Sequence, residues 1–393
     1  MNTASPWLTG LDQLTLDRFP QLKGKRLGLL CHAASVNREL IHAVDLLDSR
    51  GFRITHLFGP QHGLTTHTQD NMVEWEGSGS GKRSVFSLYG STRQPTEAML
   101  RPLDLMLVDL QDVGARYYTY AWTLFLTLEA CVRRGIPLWV LDRPNPIAPL
   151  KPAGPLLDLQ YRSFVGMAAI PVVHTLTLGE LALWLARDQG WEEFLHVVPV
   201  MNYEPDLFFD EGDLPWIMPS PNLPTLDSAL VYPGMCLWEG TNLSEGRGTT
   251  RPFELCGAPF LDQNLIESML SPEDLPGCSL RRVTFEPTFQ KWAGQPCLGW
   301  QIHVQNRQTF SPVRTAVALL RAIATVHPES FAWKSPPYEY EQHHWPIDIL
   351  AGGPSLRQVV EGKRSLKEAW AAWQKEADHW KTMARDIELY ERP

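Results

Sequence analysis

The sequence predicts an α/β fold, a Rossmann-like parallel sheet followed by a smaller α+β unit. Three observations carry that expectation. Short apolar runs alternate with helical patterns through the first two thirds of the chain. Polar clusters stand directly after three of those runs. The pattern changes after about Ser271, where longer β-type runs and two helical stretches follow.

In order, residues 26–30 read as a strand and 38–48 as a helix. Residues 53–58 and 85–89 read as the next strands, and 105–110 as a strongly buried one. A helix near 119–133, a strand at 137–141 and a helix from the Thr177/Glu180 capping box to about Arg187 come next, then a strand at 196–200. Residues 283–289 and 299–304 read as strands of the smaller unit. Ser311-Pro312 opens a helix, with Ser as N-cap and Pro in the first turn. Ser365 and Glu368 form a second capping box. Behind it Leu366, Ala369, Trp370, Trp373, Ala377, Trp380, Ala384 and Ile387 recur at the spacing of one buried helix face. The expected division is 1–270 for the sheet domain and 271–393 for the auxiliary domain.

With 393 residues, 44% hydrophobic and 20% charged, the chain has the size and composition of a globular enzyme. Its formal net charge of -9 and lack of a Lys/Arg-rich run argue against nucleic acid as a partner. No apolar stretch is long enough to span a bilayer. Residues 1–10 lack a basic start and an apolar h-region, and the six cysteines form no CxxC pair. A cytoplasmic protein with reduced core cysteines is expected. The 15 Trp suit aromatic platforms for sugars, and core packing explains most of them equally well.

The polar clusters are Gly59-Pro-Gln-His-Gly63, Gln111-Asp-Val-Gly-Ala-Arg-Tyr117 and Asp142-Arg-Pro-Asn-Pro146. In an open parallel sheet, ligands bind outside the carboxyl ends of strands, so the three are expected to converge on one cleft. A fourth polar segment, 239–250, carries two carboxylates, a guanidinium, a carboxamide, four hydroxyls and three glycines between apolar runs. Its glycines would let the backbone approach a ligand.

Several motifs fail. Gly77-Ser-Gly-Ser-Gly-Lys82 has Arg83 where a phosphate loop needs Ser or Thr, and the turn after the first strand lacks glycine, so no nicotinamide or other cofactor is expected. There is no HExxH and no GxSxG. His62, His67 and Asp70 lie near one another, but such groups more often hydrogen-bond than ligate, so no metal is expected. His174 reads equally as a base or as a satisfied polar residue at a strand end. Paired carboxylates remain, the requirement of glycoside hydrolysis. The candidates are Asp70, Glu74, Glu76, Asp112, Glu239 and Glu245. Asp112 would alternatively cap a turn, and Glu74 and Glu76 would form a solvated strand face.

At these clusters the sequence resembles a family long catalogued as a domain of unknown function, some members of which are exo-acting β-N-acetylmuramidases of peptidoglycan recycling. The matching segments are Phe58-Gly-Pro-Gln-His-Gly63, Asp109-Leu-Gln-Asp-Val-Gly-Ala-Arg-Tyr-Tyr-Thr-Tyr120, Leu141-Asp-Arg-Pro-Asn-Pro146, Met218-Pro-Ser-Pro-Asn-Leu-Pro224, residues 239–254 and Phe285-Glu-Pro-Thr-Phe289. The resemblance implies a Rossmann-like domain with a small C-terminal domain, and a cleft beside the strand ends. It further implies release of N-acetylmuramic acid from the non-reducing end of cell-wall fragments. Those muramidases typically carry Glu, the favoured catalytic residue, where this chain has Gln61. A carboxamide cannot serve as a general acid near neutral pH.

The expected catalytic set is therefore Glu245, with Glu239 and Asp70 in reserve, and Gln61 and His62 positioning water or substrate. Ser244 and the glycines after Glu245 favour its approach to a sugar. Gln111, Arg116, Tyr117, Arg143, Asn145, Asn222, Asn242, Arg247 and Thr249 are expected to bind substrate. Arg247 or Arg143 is expected to hold the lactyl carboxylate of muramic acid. Two rival readings remain, a non-hydrolytic sugar- or muropeptide-binding protein and a hydrolase of another bond in the same cleft. The oligomeric state is not legible.

Overall fold

The computed structural model describes residues 6–16, 18–68, 73–77, 83–387 and 389–392. Among them, six strands form a parallel sheet: β1 (Arg26–Cys31), β2 (Arg53–Gly59), β3 (Ser84–Ser87), β4 (Leu105–Asp109), β5 (Leu138–Leu141) and β6 (Leu195–Val198). Their order is β3-β2-β1-β4-β5-β6, that of a doubly wound α/β sheet, with every neighbouring pair parallel.

Strand periodicity explains why this sheet is buried on both faces. Leu27, Leu29 and Cys31 of β1, with Leu105 and Leu107 of β4, face one core beneath the helices Gly10–Leu14 and Ala43–Ser49. Leu30 of β1, with Met106 and Val108 of β4, faces the other, beneath the helices Tyr120–Arg134 and Leu178–Gln189. Successive residues point to opposite faces, so a strand covered on both sides must be apolar throughout.

The second sheet is antiparallel, in the order β7-β9-β8: β7 (Leu255–Ala258), β8 (Cys278–Phe285) and β9 (Cys297–Val304). Its first strand precedes residue 271. The larger core runs without a break from β1 and β4 through Trp300 and Ile302 of β9 to the helices Pro312–Val326 and Leu366–Ala384. The expected stripe on the last helix is buried at Leu366, Ala369, Trp373, Ala377, Trp380 and Ala384, while Trp370 is half-buried and Ile387 lies past the helix end. Trp380 donates its indole N–H to the His174 carbonyl, 3.1 Å away, tying this helix to the sheet domain.

The Thr177/Glu180 capping box forms as expected. Ser365 supplies only half of one, accepting from the Glu368 N–H at 3.5 Å. The helix expected at 38–48 starts only at Ala43. Residues 36–42 instead make a turn, in which the Asn37 side chain accepts from the Ile41 N–H at 2.8 Å and Leu40 takes a positive φ. No helix among the described residues is long and apolar enough to cross a membrane.

Candidate active site

The order of the large sheet reverses between β1 and β4, and a cavity opens beside that point. Gln61 and His62 enter it from the loop after β2. Tyr117, Tyr118 and Thr119 enter from the loop after β4. Ser220 and Leu223 come from a proline-rich turn, Glu239 and Arg247 from the segment following the helix Leu226–Met235, and Tyr338 and Glu339 from a hairpin near the C-terminal helices. The cavity's enclosed volume is about 30 Å³, room for little more than a water molecule, so that a bound sugar requires the walls to move apart.

The first wall is neutral. The Thr119 hydroxyl donates to Oε1 of Gln61 at 2.7 Å and so orients the carboxamide. His62 Nδ1 lies 2.8 Å from the Thr68 carbonyl, so that nitrogen carries the proton and Nε2 the lone pair. Burial lowers the imidazole pKa to about 4, so the ring is neutral at pH 7. Its Nε2 faces the Ser220 hydroxyl at 3.4 Å.

The second wall is charged. Arg247 Nη2 donates to Glu239 Oε1 at 2.7 Å, and the Tyr338 hydroxyl donates to Oε2 at 2.7 Å. Burial alone would raise the Glu239 carboxyl, but the guanidinium and these bonds hold it below its ordinary value, so it is ionised. Behind Arg247, Glu245 Oε1 lies 3.4 Å from Nε, and Lys291 Nζ donates to Glu245 Oε2 at 2.8 Å. The Phe253 ring centroid is 5.0 Å from the guanidinium carbon. Arg247 is only 7% exposed, yet its Nη1 has no hydrogen-bond partner among the described residues. A buried guanidinium with a free donor facing a cavity is a receptor for an anionic or carbonyl oxygen.

The third element is absent from the expected set. Glu339 lies on the cavity wall, 4% exposed, and accepts from the Tyr89 hydroxyl at 3.0 Å. Burial pushes its carboxyl up to about 7, aided by the negative charge of Glu239. Two buried carboxyls in one cavity are thus driven apart, one ionised and one able to hold a proton. No local sequence signal marks Glu339. It stands in the polar run Tyr338-Glu-Tyr-Glu341, without the glycines that flag a ligand loop.

Gln61, His62, Tyr117, Glu239 and Arg247 of the expected residues line this cavity. Glu245 does not; its ion pair with Lys291 and its place behind Arg247 make it an anchor. Asn222 sits beside the cavity, its N–H 3.3 Å from the Ser220 hydroxyl. Most of the others hold the protein's own backbone. Gln111 donates to the Asp112 and Pro144 carbonyls, both at 2.9 Å. Arg116 donates to the carbonyls of Pro155, Ile170 and Leu350 at 2.7, 2.7 and 2.9 Å. Arg143 makes a two-pronged pair with Asp109, which removes it as the carboxylate receptor. Asn145 donates to the Leu176 carbonyl at 2.9 Å, Asn242 to the Ser330 carbonyl at 2.8 Å and Thr249 to the Gly246 carbonyl at 2.6 Å. The cluster after β5 therefore serves packing, and only those after β2 and β4 reach the cavity.

Asp70 lies outside the described residues. Asp112 caps its turn, accepting from the Gly114 N–H at 2.7 Å, and His174 is buried 3.5 Å from Asp112, away from the cavity. Glu74 accepts from Arg93 and Tyr340 on the outer side of the Glu339 hairpin. Gly246 and Gly248 have φ of 79° and 80°. A Cβ on Gly248 would come within 2.8 Å of the Phe289 backbone, so packing against the protein, rather than approach to a ligand, requires it. No group of three possible metal-binding side chains occurs among the described residues.

Sequence models of the exo-β-N-acetylmuramidase NamZ family match residues 27–227 with the N-terminal unit and 230–390 with the C-terminal unit. The chain belongs to this family. Peptidoglycan β-N-acetylmuramidase NamZ of Bacillus subtilis (strain 168) is 39% identical over 385 residues, 97% of this chain and 91% of the relative. Two DUF1343 family proteins from Bacteroides fragilis NCTC 9343 have the same fold, each at 28% identity. One has a TM-score of 0.87, covering 98% of this chain and 99% of its own. The other has a TM-score of 0.75, covering 99% and 100%. The NamZ units meet at the cavity. Gln61, His62, Tyr117 and Ser220 come from the N-terminal match, and Glu239, Arg247 and Glu339 from the C-terminal one.

Proposed function

We propose that this protein is an exo-β-N-acetylmuramidase, hydrolysing the bond that joins a non-reducing terminal N-acetylmuramic acid to the rest of a peptidoglycan fragment. The observation that carries the reading is Arg247, a buried guanidinium with an unoccupied donor beside an ionised carboxylate. N-acetylmuramic acid differs from N-acetylglucosamine by a lactyl ether bearing a carboxylate. Arg247 Nη1 binds that carboxylate, His62 Nε2 accepts from a sugar hydroxyl, and the Gln61 carboxamide orients the ring or a water. Glu239 supplies the negative charge that stabilises an oxocarbenium-like carbon as the glycosidic bond breaks. The six unpaired cysteines, five of them buried, suit a reducing compartment, and we propose that the fragments are met in the cytoplasm.

The test compares 4-nitrophenyl glycosides of N-acetylmuramic acid and N-acetylglucosamine. The muramic glycoside should be turned over and the glucosamine one much more slowly. Arg247→Lys should cost about 10- to 100-fold in kcat/KM on the muramic glycoside, the loss of one charge-assisted bond, and little on the other. Equal rates on both sugars with the parent protein would defeat the assignment of Arg247. Binding of muropeptides without turnover would favour the non-hydrolytic reading.

A further inference from the structure

A glycosidic oxygen leaves poorly unless it is protonated, and the cavity residue after β2 that could face it is a carboxamide. Gln61 has no proton to give near neutral pH. The ionised Glu239, bonded to Arg247 and Tyr338, has none either. His62 is neutral, with its proton committed to the Thr68 carbonyl. Glu245 is outside the cavity and paired with Lys291. Among the described residues, one carboxyl remains on the cavity wall.

We propose that Glu339 is the general acid of this enzyme, donating its proton to the glycosidic oxygen across the cavity it shares with Gln61 and Glu239. The inference rests on the muramidase reading above.

The backbone supports the assignment independently of any titration. Tyr338 and Glu341 exchange N–H···O bonds, both of 2.9 Å, closing a two-residue hairpin turn. Its central residues, Glu339 and Tyr340, have φ of 44° and 70°. Positive φ at both central positions is the mark of a type I′ turn, where Asn-Gly is the favoured pair and side chains such as these are strained. The surrounding contacts hold this strained turn and so fix the carboxyl at the cavity wall. Tyr340, on the outer side, locks the turn. Its ring lies 3.7 Å from the Arg93 guanidinium carbon and its hydroxyl donates to Glu74 at 3.1 Å.

Among the described residues, the charged and titratable groups facing Glu339 include Tyr89, Tyr338, Arg93, Glu239 and Arg247. Burial and the Glu239 charge outweigh the Tyr89 bond and the two arginines, and keep the proton on Glu339 up to about pH 7. As the bond from the anomeric carbon to the leaving oxygen breaks, that proton moves to the oxygen. Glu239 balances the positive charge left on the carbon. Water then adds to the carbon and gives its proton to the Glu339 carboxylate. Glu339 ends protonated, and the net change is hydrolysis.

The test uses two substrates of N-acetylmuramic acid, one with 4-nitrophenol and one with N-acetylglucosamine as the leaving group. Nitrophenolate leaves without a proton and the sugar hydroxyl does not. Glu339→Gln should lose about 100- to 10,000-fold on the disaccharide and less than about tenfold on the nitrophenyl glycoside. The basic limb of the kcat/KM profile, expected near pH 7 in the parent, should vanish in the variant. Gln61→Glu in the same background should restore part of the disaccharide rate. Glu239→Gln should impair both substrates alike. Equal losses on both substrates from Glu339→Gln, or an undiminished disaccharide rate, would overturn the assignment while leaving the muramidase reading intact. A parent inactive on both substrates would defeat that reading, and this one with it.

Discussion

Holding a carboxyl protonated inside the fold has a stability consequence that can be measured without any substrate. The perturbation is Glu339→Gln, which keeps the shape and the acceptor for the Tyr89 hydroxyl but removes the titration. In the unfolded chain this carboxyl protonates near 4.5, and in the fold near 7. Between those values the native state binds more protons than the unfolded one, so its stability falls as pH rises. The loss begins above about pH 4.5 and is complete above about pH 8. A difference of that size corresponds to about 3 kcal/mol. With 393 residues and an unfolding entropy of ~2.1 cal/mol/K per residue, the shift in Tm is about 4 °C. Thermal unfolding of parent and variant should therefore nearly coincide at pH 4.5, with the variant melting about 4 °C higher at pH 8. The assay is calorimetry or circular dichroism at both pH values. A pH-independent difference between the two proteins, or a variant less stable at pH 8, would refute the reasoning. Opposite effects on stability and on the disaccharide rate would mark a residue kept for function at the expense of the fold.

Two further outcomes separate structural from substrate-binding residues. Arg116→Lys should destabilise the protein by about 3 kcal/mol, because a single ammonium cannot span the three carbonyls that the guanidinium holds, yet leave KM unchanged; a raised KM at unchanged Tm would return Arg116 to the substrate site. Gly248→Ala should lower stability by about 1–3 kcal/mol through the positive φ and the Phe289 contact, and lower kcat/KM by displacing Arg247; an unchanged denaturation midpoint would refute the packing argument.

The sheet was legible because its strands are buried on both faces. Continuous apolar runs such as 105–110 can be little else between helical patterns, and the observed β4 ends within one residue of that run. The site was legible only in part. Gln61 and His62 stood out because they directly follow a strand, where an open parallel sheet binds its ligands. The same rule also selected Arg143 and Asn145. Three-dimensional packing turned these inward, onto Asp109 and the Leu176 carbonyl, where they satisfy buried partners rather than a ligand. Arg116 is a similar case. A polar residue after a strand is equally useful for closing loops, and its type does not say which task it has.

By itself the sequence determined the alternation of strands and helices, the family to which the chain belongs and the presence of a carboxamide at position 61. Local periodicity and long motifs carry that information, since both are written in neighbouring residues. Which carboxyl is ionised and which keeps its proton was decided by the tertiary structure alone. Glu239, Glu245 and Glu339 are chemically identical side chains. Arg247 and Tyr338 make the first an anion, Lys291 ties the second behind the wall, and burial with the nearby charge of Glu239 raises the third despite the Tyr89 bond. Those neighbours arrive from distant parts of the chain, so the chemistry of each carboxyl exists only once the chain has folded.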